Sequence, residues 1–160
     1  MTLPLEPAAQ RVQALLRELG SDAEVVQMAA TARSSADAAA AIGCTIAQIA
    51  KSLVFRVGEG RPVLVIASGA HRVDEKKVAA ALGQTLRKAD AEFVRAATGF
   101  AIGGVPPVGH DAHTAIFLDE TLRRYESIWA AGGHPHAVFR TTAAELERLT
   151  KGTVIDLAAG

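Results

Sequence analysis

Residues 99–109 read GFAIGGVPPVG, placing four glycines and two adjacent prolines in eleven residues. Gly99, Gly103, Gly104 and Gly109 permit positive φ and close approach, while Pro106 and Pro107 fix φ and remove two N–H donors. Such a loop is shaped and stiff. It either turns the chain between two elements or leaves the amides of Gly103, Gly104 and Val105 free to point at a ligand. Lys51 is the second residue of interest, standing between TIAQIA and the apolar run SLVFRV. A lysine there either snorkels from a core edge or serves as a point charge for phosphate or a polarised carbonyl.

Four of the five histidines fall in two pairs, His110 with His113 and His134 with His136. Drawn together they suggest a metal site, but no cysteine accompanies them and the first pair follows a Gly/Pro loop, so hydrogen-bonded or surface histidines are expected and no metal. Cys44 lies in IGCTIAQ, between a helix end and a helix cap. A helix N-terminus there would favour thiolate, yet a small buried thiol is the simpler reading. No G-x-S-x-G elbow supports a serine hydrolase, and no GxGxxG or GxxxxGK loop supports a dinucleotide or P-loop site. No cofactor is expected.

These residues need elements to hold them. Val12, Leu15, Leu16 and Leu19 recur at helical spacing before Gly20, and Val25, Val26 and Met28 suggest a short strand. Ser34 with Asp37 resembles a capping box before an alanine-rich helix ending near Gly43, and Thr45 with Gln48 repeats the signature. SLVFRV, GEGR and PVLVIAS read as a hairpin whose two runs are both apolar enough for burial. Asp74 and Asp90 cap two further helices that close at Gly83 and Gly99. TAIFL, a helical turn in DETLRRY, SIWAA, the loop GGHPH, AVFRT, a helix capped by Thr142 and Glu145, and TVIDL complete the chain. Hairpins mixed with short helices indicate an α+β fold, with a mixed, mainly antiparallel sheet surrounded by short helices. One domain over residues 1–160 is the economical organisation.

Composition narrows the function. The chain has 17 basic and 17 acidic residues, so no strongly basic surface announces nucleic acid. A local basic excess runs from Arg72 through Lys76, Lys77 and Lys88 to Arg95. It is either a solvated helix face or a contact for a polyanion. A single cysteine excludes an internal disulfide, no apolar stretch approaches a bilayer span, and Glu6, Arg11 and Arg17 interrupt any signal-peptide core. A cytoplasmic protein with no membrane partner is expected.

TIAQIAKSLVF followed by a hairpin, then GFAIGGVPPVGH and AAGGHPH, resembles the YbaK/prolyl-tRNA synthetase-associated editing domain family, whose members remove wrongly attached amino acids from tRNA. The resemblance runs from about Cys44 to the final helix. By position it places the family's lysine on Lys51 and its loop glycine on Gly103, with Pro107 closing the G-x-x-x-P motif. Some relatives use a histidine in the later glycine loop, and here either His134 or His136 fills that place. YbaK-type relatives proper carry serine and arginine in that loop, where this chain has AAGGHPH. The departure turns the expectation from cysteinyl substrates toward alanyl, seryl or threonyl ones.

The resemblance thus implies a free-standing deacylase for mischarged tRNA, tRNA for proline included, with Lys51, Gly103 and Gly104 at the reacting ester. Val105, Pro106, Pro107, Gly133, His134 and His136 would bind the substrate, and Arg72, Lys76, Lys77 and Lys88 the acceptor end of the tRNA. An aminoacyl-tRNA synthetase is a further partner to consider, and the oligomeric state is left open. The ester is already activated, so hydrolysis needs a positioned water and oxyanion stabilisation more than a strong nucleophile. The alternative is a non-catalytic module of the same fold that binds a nucleotide or aminoacyl group without turnover.

Overall fold

A computed structural model of the chain describes residues 3–29 and 34–159. Helix α1 spans Pro7–Glu18, with proline in its first turn where a missing N–H costs nothing. Strand β1 (Val25–Gln27) and helix α2 (Ser35–Ile42) follow. The hairpin is β2 (Ile49–Val57) and β3 (Arg61–Ser68). Helix α3 (Glu75–Leu82), a two-residue strand β4 (Arg87–Lys88) and helix α4 (Ala91–Thr98) precede the glycine-proline loop. Beyond it lie β5 (Ala115–Asp119), a 3-10 turn (Glu120–Arg124), β6 (Ile128–Ala131), β7 (Ala137–Thr141), α5 (Ala143–Thr150) and β8 (Thr153–Ile155).

Local chemistry sets the helix ends. Ser34 Oγ accepts from Asp37 N–H, Asp74 from Lys76 N–H, Asp90 from Phe93 N–H and Thr142 Oγ1 from Glu145 N–H. Each cap satisfies an amide the helix leaves unpaired, stabilising by about 1 kcal/mol. Gly43, Gly83 and Gly99 close α2, α3 and α4 in the left-handed conformation.

The strands form one mixed sheet in the order β1-β7-β6-β2-β3-β5-β8, with β4 added on β2. Pairs β1–β7, β7–β6, β2–β3 and β2–β4 are antiparallel, whereas β2–β6, β3–β5 and β5–β8 are parallel. Alternation along β3 divides the core. Leu64 and Ile66 join Ala9, Val12 and Leu16 of α1, Val94 of α4 and Leu146 of α5, while Val63, Val65 and Ala67 join Val78 of α3 and Leu157. Helices α1, α4 and α5 therefore cover one face of the sheet, and α3 covers the other.

Two expectations are corrected. TIAQIA is helical only as a 3-10 turn over Ile46–Gln48, because Ile49 and Ala50 pair with Trp129 and Ala130 of β6 and begin the strand early. Lys51 is thus the third residue inside β2. The two runs of the hairpin are also unequal: Val63 to Ser68 are fully buried, whereas Lys51 to Arg56 are only partly so. No helix among the described residues is long and apolar enough to cross a membrane.

Candidate functional site

The partial exposure of β2 has a topological cause. On the edge away from β3, β6 pairs only with Ile49 and Ala50, and β4 only with Phe55 and Arg56. Between them the sheet splits. A cavity of about 670 Å³ opens there, walled by residues 49–55, by Ile102, Gly103 and Val105 of the glycine-proline loop, and by Trp129, Pro135 and His136 on the β6–β7 side.

Lys51 is half-buried in this wall, and its ammonium makes no ion pair or hydrogen bond with the described residues. Burial draws its pKa below the ordinary lysine value, opposed by the negative charge of Asp119. Asp119 is itself buried, accepting from Ser68 N–H at 3.0 Å, Thr121 N–H at 2.9 Å and the His71 ring at 3.1 Å. Burial alone would raise its pKa, but these hydrogen bonds outweigh it and hold the carboxyl below its usual range. A fixed anion thus lies behind an unpaired cation.

In the loop, Gly103 has φ +87, and a Cβ there would meet only Pro135, in ordinary contact at 3.8 Å. Gly104 differs: its N–H donates to the Ala101 carbonyl at 2.9 Å, so it is not free for a ligand. The Gly103 and Val105 amides make no such bond with the described residues. A Cβ on Gly104 would lie 2.8 Å from the His134 carbonyl carbon, so the two glycine loops meet backbone to backbone only because this residue is glycine. Pro106 and Pro107 are buried beneath the loop and do not line the cavity. The His110 ring donates through Nε2 to the Pro106 carbonyl at 2.6 Å, and burial lowers its pKa against the pull of that bond.

The profile of the aminoacyl-tRNA editing domain family matches residues 29–149, which include the cavity's β2 wall and both glycine loops. The chain belongs to the aminoacyl-tRNA editing domain family. It is 32% identical over 128 residues to the uncharacterized protein YwhH of Bacillus subtilis, covering 79% of this chain and 81% of that protein. It is 32% identical over 113 residues to proline–tRNA ligase of Limosilactobacillus fermentum, 67% of this chain but 20% of the ligase. A crystal structure described as a candidate trans-editing enzyme for prolyl-tRNA synthetase superposes with TM-score 0.93 at 46% identity, covering 98% of this chain and 100% of the other.

Within this editing domain, the residues singled out by sequence separate. Lys51, Gly103, Val105, His136 and Lys88 line the cavity. Gly133 does not: with φ +98, its Cβ position lies 2.5 Å from Val12 Cγ2 and 2.6 Å from the Ala8 carbonyl oxygen, so it seats the loop against α1. His134 is also outside the lining. Its Nδ1 accepts from His136 N–H at 3.1 Å and faces Gln27 Nε2 at 3.3 Å, which assigns the ring proton to Nε2.

The basic stretch is spread over more than one element. Lys77 is bound by Asp156 at 2.9 Å and the Ala158 carbonyl at 2.8 Å, and it belongs with Lys76 to α3, on the face away from the loop. Arg72 is exposed just before that helix, and only Lys88 reaches the cavity. Cys44 is half-buried and burial raises its thiol pKa, the opposite of an activated thiolate. Among the described residues, no three His, Cys, Asp or Glu side chains gather as metal ligands would.

Sequence reasoning missed Ser52, Trp129 and Asp119. A hydroxyl beside Lys51 in an apolar run was the available signal for Ser52. Nothing local marks the other two, whose placement depends on strand pairing.

Proposed function

We propose that residues 1–160 form one cytoplasmic trans-editing deacylase, which hydrolyses the ester of a mischarged tRNA carrying a small amino acid: alanine first, then serine or threonine. Prolyl-type tRNA is the favoured acceptor, and a synthetase is the natural source of the substrate. The observation that carries this reading is the convergence of Lys51 and Gly103, from elements far apart in sequence, on one largely apolar cavity.

The chemistry follows from the groups present. Water attacks the ester carbonyl, the acyl C–O bond to the terminal ribose breaks, and free amino acid leaves with the ribose hydroxyl restored. Lys51, poorly solvated and unpaired, polarises the carbonyl or anchors the adjacent phosphate. The amides of Gly103 and Val105 supply donors for the developing oxyanion. Gly104 acts through shape, by letting the two loops touch. A substrate hydroxyl directs the water, so no protein carboxylate is required. Lys88 meets the phosphates at the cavity mouth, and His136 stands at the opposite wall.

Backbone walls exclude by size, because peptide atoms cannot rotate away from added volume. Exclusion of something smaller is weak, since one methylene is worth roughly 1–3 kcal/mol. A deacylation panel tests the proposal: alanyl-tRNA should turn over and phenylalanyl-tRNA should not. Equal rates for the two, or tight binding of aminoacyl-tRNA without turnover, would refute it, the latter in favour of a binding module.

A further inference from the structure

The split in the sheet leaves more than space. The Ile49 carbonyl accepts from Gly69 N–H on the β3 side, so alternation directs the backbone groups of residues 49, 51 and 53 toward β3 and those of 50, 52 and 54 toward the opposite edge. There β6 takes Ala50 and β4 takes Arg56. The amide and carbonyl of Ser52 and the amide of Val54 are left without a ladder partner, in two residues that line the cavity. Ser52 Oγ adds to this, being buried with no hydrogen-bond partner. Buried polar groups in folded chains are nearly always paired, so an unpaired buried hydroxyl beside an open strand edge marks where a ligand's polar atoms belong.

Size points to what that ligand is. A cavity of about 670 Å³ lies within the roughly 300–1,000 Å³ that encloses a drug-sized molecule. An alanyl or seryl group, only a handful of non-hydrogen atoms, fills a small part of it. The remainder must hold the nucleoside to which the amino acid is attached, which in every tRNA is the 3′-terminal adenosine. Adenine presents an N6–H donor beside an N1 acceptor, flanked by apolar faces. The Ser52 carbonyl and Val54 N–H are an acceptor beside a donor, with Val54, Val94 and the exposed Ile102 supplying apolar walls.

We propose that the open edge of β2 reads the terminal adenine: N6–H donates to the Ser52 carbonyl, and Val54 N–H donates to N1. This rests on the deacylase reading for its substrate, and it assigns the edge a base-selecting role separate from the ester chemistry at Lys51. Ser52 Oγ supplies one further hydrogen bond to the bound nucleoside.

The test titrates the full chain with adenosine 5′-monophosphate and inosine 5′-monophosphate, following backbone amide resonances. Inosine replaces the N6 donor with an oxygen and protonates N1, reversing the pattern. The adenine nucleotide should shift the Ser52 and Val54 amides most and bind at least about tenfold more tightly, because a site built to pair polar atoms rejects an analogue that leaves them unpaired. Ser52→Ala should weaken both nucleotides while keeping the preference. Equal affinity for the two, no adenine-nucleotide binding at millimolar concentration, or loss of the preference in Ser52→Ala would overturn the proposal. Adenine preference in a chain that deacylates no mischarged tRNA would keep this inference and sink the deacylase reading; active deacylation with no base preference would do the reverse.

Discussion

Strands β2 and β3 are hydrogen-bonded along their whole length and built from similar residues, yet one is core and the other lines a cavity. β3 has a long partner on each edge, β2 and β5, and a covered face on each side. β2 has its full partner only in β3; on its other edge β6 and β4 each hold two residues. The difference shows that an apolar run becomes a binding wall through what fails to pair with it. A hydrophobic pattern tells how much a strand can bury, and the neighbours decide how much it does.

Substitutions in the two strands should therefore fail in different ways. Lys51→Ala in β2 should lower deacylation by about 10²–10³-fold, the scale of removing one electrostatic stabiliser of an oxyanion. Its thermal midpoint should hold or rise slightly, since burial disfavours the charge it removes. Near-normal turnover in the folded variant would remove Lys51 from the chemistry. Ile66→Ala in β3, at a fully buried position, should instead cost roughly 2–5 kcal/mol of stability. Activity per folded molecule should be retained, and a urea titration paired with rates at low denaturant separates the two.

The glycine loop sharpens the contrast at smaller scale. Gly104→Ala must push apart two backbones that would otherwise stand 2.8 Å from its Cβ, an overpacking cost of roughly 1–3 kcal/mol. Gly103→Ala makes only ordinary van der Waals contact with Pro135 and bears the strain of its positive φ, roughly 1–2 kcal/mol. Unfolding midpoints should rank Gly104→Ala below Gly103→Ala, and the reverse order would mean that the loops are not locked where they touch.

The mildest effect is one of pH. If the charged form of Lys51 is the active one, kcat/KM falls as pH rises through its pKa, and burial moves that fall below the ordinary lysine value of about 10.4. After subtraction of the spontaneous ester hydrolysis, Lys51→Arg should show no such decline. An identical decline in that variant would assign the titration to another group.

What the sequence made legible was local. Ser34, Asp74, Asp90 and Thr142 were readable as caps because a cap and its amide lie within a few residues. The start of β2 was not, since Ile49 and Ala50 are strand only by virtue of β6, some eighty residues on. The basic run from Arg72 to Lys88 looked uniform along the chain, but α3 carries Lys76 and Lys77 while β4 carries Lys88, the one of them that lines the cavity. Glycines stood out as a type without disclosing their tasks: Gly133 accommodates α1, and Gly104 accommodates a neighbouring loop.

Strand β4 has a consequence for how long each boundary of the cavity lasts. It pairs with β2 at two positions only, and both of its residues are exposed. So short a ladder opens at far lower free energy than the global fold, whereas the β2–β3 ladder opens only with the core. In deuterated solvent the amides shared between β2 and β4 will exchange early, and those between β2 and β3 will be among the last. The inner wall is as durable as the protein itself, and the one at Lys88 opens and recloses many times within that lifetime.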